Sequence, residues 1–234
     1  MIDIDELKDR AEELEQRSAG EILGWAADRY APRLTFAASL GLEDCVLIDL
    51  IGRGSLPIDI FTLDTGLLFP ETYALKQQIE ERYGVTLRAV NPAHTVDQQA
   101  EREGPALWER DPDRCCELRK MEPLRATLAT YEAWITAIRR DQTPERANAP
   151  VVGWDARFGL IKINPLVRWT LDEVKAYVSR HDVPYNPLHD RDYPSIGCMP
   201  CTSPVAPGED PRSGRWRGRE KTECGLHLVT KLRT

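Results

Sequence analysis

The chain has no excess of positive charge. Its 234 residues carry 31 Lys and Arg against 38 Asp and Glu, for a net charge of −7. That balance argues against a general nucleic-acid binder. No apolar run reaches the length of a membrane span. The first residues, Met1-Ile2-Asp3-Ile4-Asp5-Glu6, lack the basic start and apolar centre of a secretion signal. A cytosolic location is therefore expected, with no membrane partner. Thiols stay reduced there, so a disulfide framework is the weaker reading of the cysteines. No internal repeat is visible, and only four histidines are present. Apolar residues are not scarce: 41% of the chain is hydrophobic, enough for the core of one α/β domain with a small appendage.

The six cysteines are the most informative residues present. Four form two close pairs, Cys115-Cys116 and Cys198-Met199-Pro200-Cys201. Two distant pairs can make one four-thiolate site for zinc or an iron–sulfur cluster. Neighbours on a helix point about 100° apart, so adjacent cysteines suit a ligand body lying across a helix end. A contiguous pair is awkward for a tetrahedron about one ion, which favours a [4Fe–4S] cluster; zinc stays open on ligand type alone. The bland alternative for Cys115-Cys116 is a coincidental buried pair. The C-x-x-C pair lacks the βαβ context of a thioredoxin-like redox motif. Cys45, followed by Val46, Leu47 and Ile48, reads as a core residue.

Cys224 follows a basic stretch from Arg212 to Lys221 that includes Arg215, Arg217 and Arg219. Nearby cations favour the thiolate, and the thiolate is the nucleophile. The same charges would hold an anionic substrate. His227, three residues further, could bind substrate or tune the thiol. The alternative is a solvated basic tail with an incidental cysteine. Lys120, one helical turn beyond Cys116, can face the same site.

Periodicity predicts a helix over residues 3–30, with Leu7, Leu14, Ile22, Leu23 and Trp25 on its apolar face. Strands are predicted at 34–38, 58–63, 85–90, 134–138 and 161–163, and helices at 43–51 and 70–83, the latter opened by Pro70. Alternating strands and helices predict an α/β fold, a mostly parallel twisted sheet covered on both faces. Beyond about residue 184 the composition shifts to Pro, Gly, Asp and Arg. The expected division is an α/β domain over 1–203 and a mobile tail over 204–234. Ser39-Leu40-Gly41-Leu42-Glu43-Asp44 sits where a strand yields to a helix, and its backbone N–H groups suit a phosphate. Alternatively, Glu43 and Asp44 merely cap that helix. Leu63-Asp64-Thr65-Gly66 ends the next strand, at the edge where open α/β sheets bind ligands.

These segments carry a resemblance. Leu63-Asp64-Thr65-Gly66, Cys115-Cys116-x-x-Arg119-Lys120, Arg139-Arg140-Asp141-Gln142, Lys162-Ile163-Asn164-Pro165-Leu166, Tyr185-Asn186-Pro187-Leu188-His189 and Glu223-Cys224-Gly225-Leu226-His227 are similar to motifs of the assimilatory adenylyl-sulfate and phosphoadenylyl-sulfate reductases. With the Ser39 loop, Tyr193–Cys198 and Pro207–Asp210, they run in family order over nearly the whole chain. The Glu-Cys-Gly-Leu-His ending is the most specific of them. Two departures stand out. Ala137 occupies a position where relatives often have glycine, and Trp216 stands where many have a run of tryptophans.

The resemblance implies an ATP-pyrophosphatase-like nucleotide-binding fold and a thioredoxin-dependent reductase. Members with both cysteine pairs resemble the iron–sulfur type and typically use adenylyl sulfate. Carried over residue by residue, Cys115, Cys116, Cys198 and Cys201 ligate the [4Fe–4S] cluster and Cys224 is the nucleophile. Lys120, Arg212, Arg215 and His227 contact the phosphosulfate. Ser39, Leu63, Asp64, Thr65 and Gly66 contact the nucleotide. The expected reaction reduces adenylyl sulfate to sulfite and AMP through an S-sulfocysteine, in sulfate assimilation. The alternatives are a phosphoadenylyl-sulfate reductase and, from another class, a non-catalytic four-cysteine zinc module. A homo-oligomer is compatible with either enzyme reading.

Overall fold

The computed structural model describes residues 4–219 and residue 221. Cys224 and His227 lie outside the described residues. Strands β1 (Leu34–Ala37), β2 (Asp59–Leu63), β3 (Leu87–Val90), β4 (Ala133–Ile135), β5 (Val152–Asp155) and β6 (Leu160–Ile163) form one sheet in the order β3-β2-β1-β4-β6-β5. All neighbours pair in parallel except β5 with β6, which is antiparallel. From β1 the chain first builds outward through β2 and β3, then returns to β1's other side with β4. The β1/β4 junction is therefore the topological switch point, where such sheets open a crevice at their carboxyl edge.

Alternation along the strands divides the core in two. Ile60, Ala133, Ile135, Ile161 and Ile163 face the larger apolar cluster, with residues of α2 (Ala19–Tyr30), α3 (Leu42–Arg53) and α9 (Leu171–His181). Phe61, Trp134 and Leu160 face the other side with Leu124 and Leu128 of α8 (Glu122–Leu128). Helices thus cover both faces, as the α/β pattern predicts.

The helix predicted over 3–30 is two helices, α1 (Ile4–Leu14) and α2. Ser18 starts the second: its side chain accepts from Glu21 N–H while Glu21 accepts from Ser18 N–H, a reciprocal cap. Helix α4 (Pro70–Tyr83) begins at the proline and ends at Gly84, whose φ of 63 is the left-handed conformation glycine adopts without strain. Helices α5 (Val96–Glu103), α6 (Leu107–Arg110) and α7 (Pro112–Cys116) carry the chain across to α8.

One buried carboxylate ties three helices. Asp49 of α3 is fully buried and accepts from Arg53 Nε (2.9 Å), Tyr83 Oη of α4 (2.9 Å) and Tyr177 Oη of α9 (2.7 Å). Burial pushes its pKa up, but Tyr177, Arg53 and Tyr83 more than offset this, and the carboxyl lies below its ordinary range. A depressed folded-state pKa gives stability that is present above the unfolded value of about 3.9 and lost as pH falls through the folded value. Asp49→Ala should cost about 2–3 kcal/mol at pH 7, because three donors lose their acceptor. The gap in Tm between wild type and variant should narrow below about pH 4. Thermal melts across pH 3–7 check this, and a gap independent of pH would refute the charged-acceptor role.

Candidate active site

A cleft of about 340 Å³ opens at the carboxyl edge of β1, β2 and β4. Its first wall is the loop after β1. Asp44, buried in the first turn of α3, accepts from Ser39 N–H (2.6 Å), Ser39 Oγ (2.7 Å) and Gly41 N–H (3.3 Å). Burial nevertheless pushes the Asp44 pKa up. The loop is thus braced internally, with Leu40 in the left-handed conformation at φ 62. Ser39 lines the cleft, but its N–H and hydroxyl proton already face Asp44, so Glu43 and Asp44 do more than cap.

Opposite stands Arg139, just beyond β4 and 4% exposed. Its guanidinium pairs with Glu43 and, through Nε at 2.8 Å, with Asp141. Gln142 joins both sides: its Oε1 accepts from Arg139 N–H (3.0 Å) and its Nε2 donates to Glu43 (3.0 Å). The Arg139-Arg140-Asp141-Gln142 segment therefore locks the β1 and β4 loops together across the switch point. Arg146, buried nearby, also lines the cleft and donates to Gln142.

The third wall is the turn after β2. Leu63 and Thr65 line the cleft. Asp64 instead organises the turn, accepting from Gly66 N–H (2.9 Å) and Tyr73 Oη (2.7 Å). Burial, then that bond to Asp64, pushes the Tyr73 hydroxyl up to about 12. Gly66 has a φ of 68. Arg119, 3% exposed, braces the same turn by donating Nε to the Thr65 carbonyl (2.6 Å) and Nη1 to Gln99 (3.0 Å).

Arg119 and Lys120 belong to a π-helical turn, Glu117–Met121, between α7 and α8. The Glu122 N–H reaches back five residues to the Glu117 carbonyl. Such wide turns are frequent at functional sites. This one lets neighbouring cations serve different partners. Arg119 holds the β2 turn, while Lys120 reaches the cleft and the Cys198 thiol. Asp111 starts the preceding helix by accepting from Arg114 N–H (2.9 Å), with Pro112 in its first turn.

Cys115, Cys116 and Cys198 are buried and Cys201 is half-buried; among the described residues no disulfide joins any cysteine. Cys115, Cys198 and Cys201 lie within one another's electrostatic field. Burial and then the neighbouring Cys198 push Cys115 and Cys201 up. Burial also raises Cys198, but Lys120, the Thr65 hydroxyl 3.3 Å away and Arg215 reverse it, so that thiol ends below its ordinary value. The donor set is therefore several buried, unbridged sulfurs, one of them beside cations that favour its ionised form. That chemistry fits an iron–sulfur cluster. Among the described residues, no three Cys, His, Asp or Glu side chains are arranged to hold a single metal ion.

The chain after Cys201 folds back on this corner. Ser203 N–H donates to Gly214 O (2.9 Å), Trp216 N–H to Cys201 O (3.0 Å) and Val205 N–H to Asp192 O (2.8 Å). Val205 and Trp216 are buried. Arg212 and Arg215 line the cleft, and Arg215 lies 4.6 Å from the Trp216 ring centre. The described part of the predicted tail is thus anchored through Trp216. Lys120, Arg212, Arg215 and Cys198 meet in one cleft with Ser39, Leu63 and Thr65.

Residues 33–204 match the phosphoadenosine phosphosulfate reductase domain. The chain belongs to that family. It is 48% identical over 215 residues to the adenosine 5′-phosphosulfate reductase of Halalkalibacterium halodurans, covering 92% of this chain and 93% of that one. A reductase of the same name from Streptomyces coelicolor is 47% identical over 95% of both chains. Among solved structures, the phosphoadenylyl-sulfate reductase of Candida auris in complex with phosphate is similar at a TM-score of 0.78 and 32% identity, covering 88% of this chain and 98% of that one. A yeast FAD synthetase with FAD shares the fold alone, at a TM-score of 0.58 and 16% identity over 87% of this chain and 70% of that one.

Against this family frame, the residues that spacing alone does not single out are Glu43, Arg146 and Gln142. Gln142 and Glu43 are 99 residues apart, and only β1/β4 pairing joins them. Glu43, Arg139 and Gln142 did carry a signal, as parts of family motifs.

Proposed function

We propose that the chain reduces adenylyl sulfate to sulfite and AMP. The observation that carries this reading is Lys120 and Arg215 beside Cys198 in a switch-point cleft whose wall Arg212 also lines. Three cations lining one cleft suit a phosphosulfate, whose charge is all on oxygen. The braced β1 and β2 loops offer the nucleoside end. The names of relatives at 44–48% identity support adenylyl sulfate over its 3′-phosphorylated form. The Candida auris neighbour favours the second reading, a phosphoadenylyl-sulfate reductase.

In the first step the Cys224 thiolate attacks the sulfuryl sulfur. An S–S bond forms, the S–O bond to the phosphate breaks, and AMP leaves with its electron pair. The chain's part is positioning and neutralising oxygen charge, as in phosphoryl transfer. Lys120, Arg212 and Arg215 do this, with His227 assigned to the same end of the substrate. In the second step a thiolate of reduced thioredoxin attacks the Cys224 sulfur, and sulfite leaves with the S–S electron pair. The second thioredoxin thiol then resolves the mixed disulfide, so the dithiol supplies both electrons. Cys115, Cys116, Cys198 and Cys201 would hold a [4Fe–4S] cluster. When bound, that cluster supplies a compact charge beside Lys120, and no electron need pass through it. Residues 204–234 form the cover that carries Cys224 to the cleft, and the reducing cytosol is the setting that keeps these thiols available.

Sulfite release from each nucleotide with reduced thioredoxin tests the reading. A higher kcat/KM for adenylyl sulfate supports it, and equal or reversed values favour the second one. Gly197 offers a finer check. A Cβ there would meet Arg215 Nη2 at 2.2 Å and Cζ at 2.6 Å. The guanidinium is the far end of a flexible side chain and would move away. Gly197→Ala should therefore raise KM about tenfold, the scale of one lost charge-assisted hydrogen bond. Tm should hardly change. A fall in Tm with KM unaltered would deny Arg215 its role.

A further inference from the structure

We propose that Lys221 is a latch that pins the chain, three residues before Cys224, to the helix bearing Cys115 and Cys116. Its ammonium pairs with the Asp113 carboxylate, two residues before Cys115 in α7. The same ammonium lies 5.3 Å from the centre of the Trp216 ring. Its side chain is only 10% exposed, although Asp113 is 80% exposed. Lysine is seldom so withdrawn unless a partner compensates its desolvation. Here a carboxylate and an aromatic face do so together. Trp216 is itself buried, and its backbone N–H donates to Cys201 O at 3.0 Å. Lys221 is therefore connected at once to both cysteine-bearing elements and to the residue after Arg215.

Cys224 lies three positions further along the chain. Three residues span at most about 11 Å. An anchored Lys221 thus restricts where the thiol can go, and the first step needs that restriction because in-line attack depends on placement. The second step needs the opposite, since a protein dithiol must reach the sulfur. An ion pair with one water-exposed partner can open readily, which suits a latch better than a permanent tie. The inference rests on the reading of Cys224 as the nucleophile.

The test separates the two half-reactions in the intact enzyme as purified with its metal. Single-turnover mixing with adenylyl sulfate, without dithiol, follows AMP release and the sulfo adduct on Cys224 by mass spectrometry. Lys221→Met and Asp113→Asn should each slow this step about tenfold, with the double variant no slower than either single one. Discharge of the preformed adduct by thioredoxin should be as fast as in wild type or faster. Lys221→Arg should restore most of the first-step rate. Iron and labile sulfide are measured in every variant, and Lys221→Met, which lies off the cysteine helix, keeps the test valid if Asp113→Asn disturbs the thiol corner. First-step rates within twofold of wild type, additive losses, or equal losses in both half-reactions overturn the latch. A wild-type enzyme that forms no adduct on Cys224 overturns the nucleophile assignment and the latch with it.

Discussion

Cys224→Ser should lose sulfite formation by about 10⁴-fold or more, because a hydroxyl is a far weaker nucleophile than a thiolate. AMP binding should stay within about twofold of wild type, since the cleft is built from other elements and distant sites act independently. Those elements are the Asp44-braced loop, the Arg139–Glu43–Gln142 lock and the cations that line the cleft. Two measurements decide it: steady-state sulfite release and calorimetric titration with AMP. Intact binding with lost turnover places the chemistry on Cys224. Substantial turnover by the serine variant would move it elsewhere, and the Cys198/Cys201 pair is the first suspect. Loss of AMP binding together with turnover would mean that the segment around Cys224 builds the cleft rather than visiting it.

The sequence makes the strand–helix alternation legible because β1 and β2 are mostly apolar runs ended by turn residues. The antiparallel β5 is not legible: Val152-Gly153-Trp154-Asp155 has one glycine, one charge and a 37% exposed tryptophan, with no clear alternation. Its place as an edge strand relieves it of the need for one. The break between α1 and α2 was written in Ser18-x-x-Glu21, but the apolar period continues across it and hides the cap. At the site, the cysteine types and spacing point to a ligand set without any structure. The π turn that separates the tasks of Arg119 and Lys120 leaves no periodic trace, because it depends on backbone bonding rather than residue type. Composition predicts a mobile segment after Pro204. Backbone hydrogen bonds and two buried side chains, Val205 and Trp216, anchor its described part instead. Few apolar residues suffice when each one is placed in a pocket.

Replacing any one of Cys115, Cys116, Cys198 or Cys201 with serine should lose iron and acid-labile sulfide together, and about 100-fold or more in activity. The reason lies in how the corner is wired. Cys198 touches Lys120 and the Thr65 hydroxyl, Thr65 is held by Arg119, and Arg119 follows the Cys115-Cys116 pair in the same continuous helix. Removing one sulfur therefore disturbs a cation that faces the cleft as well as a ligand. Cys45→Ser is the control. Cys45 is 1% exposed in α3 and packed in the larger apolar cluster, and burial drives its thiol up. That variant should keep iron, sulfide and activity while losing about 1–3 kcal/mol of stability to the buried hydroxyl. Metal content, visible absorbance and Tm separate these outcomes without relying on turnover. A protein that keeps its iron without Cys116 but loses it without Cys45 would reassign the ligand set. It would also leave the adjacent cysteines as two buried thiols in a helix whose real task is to present Lys120.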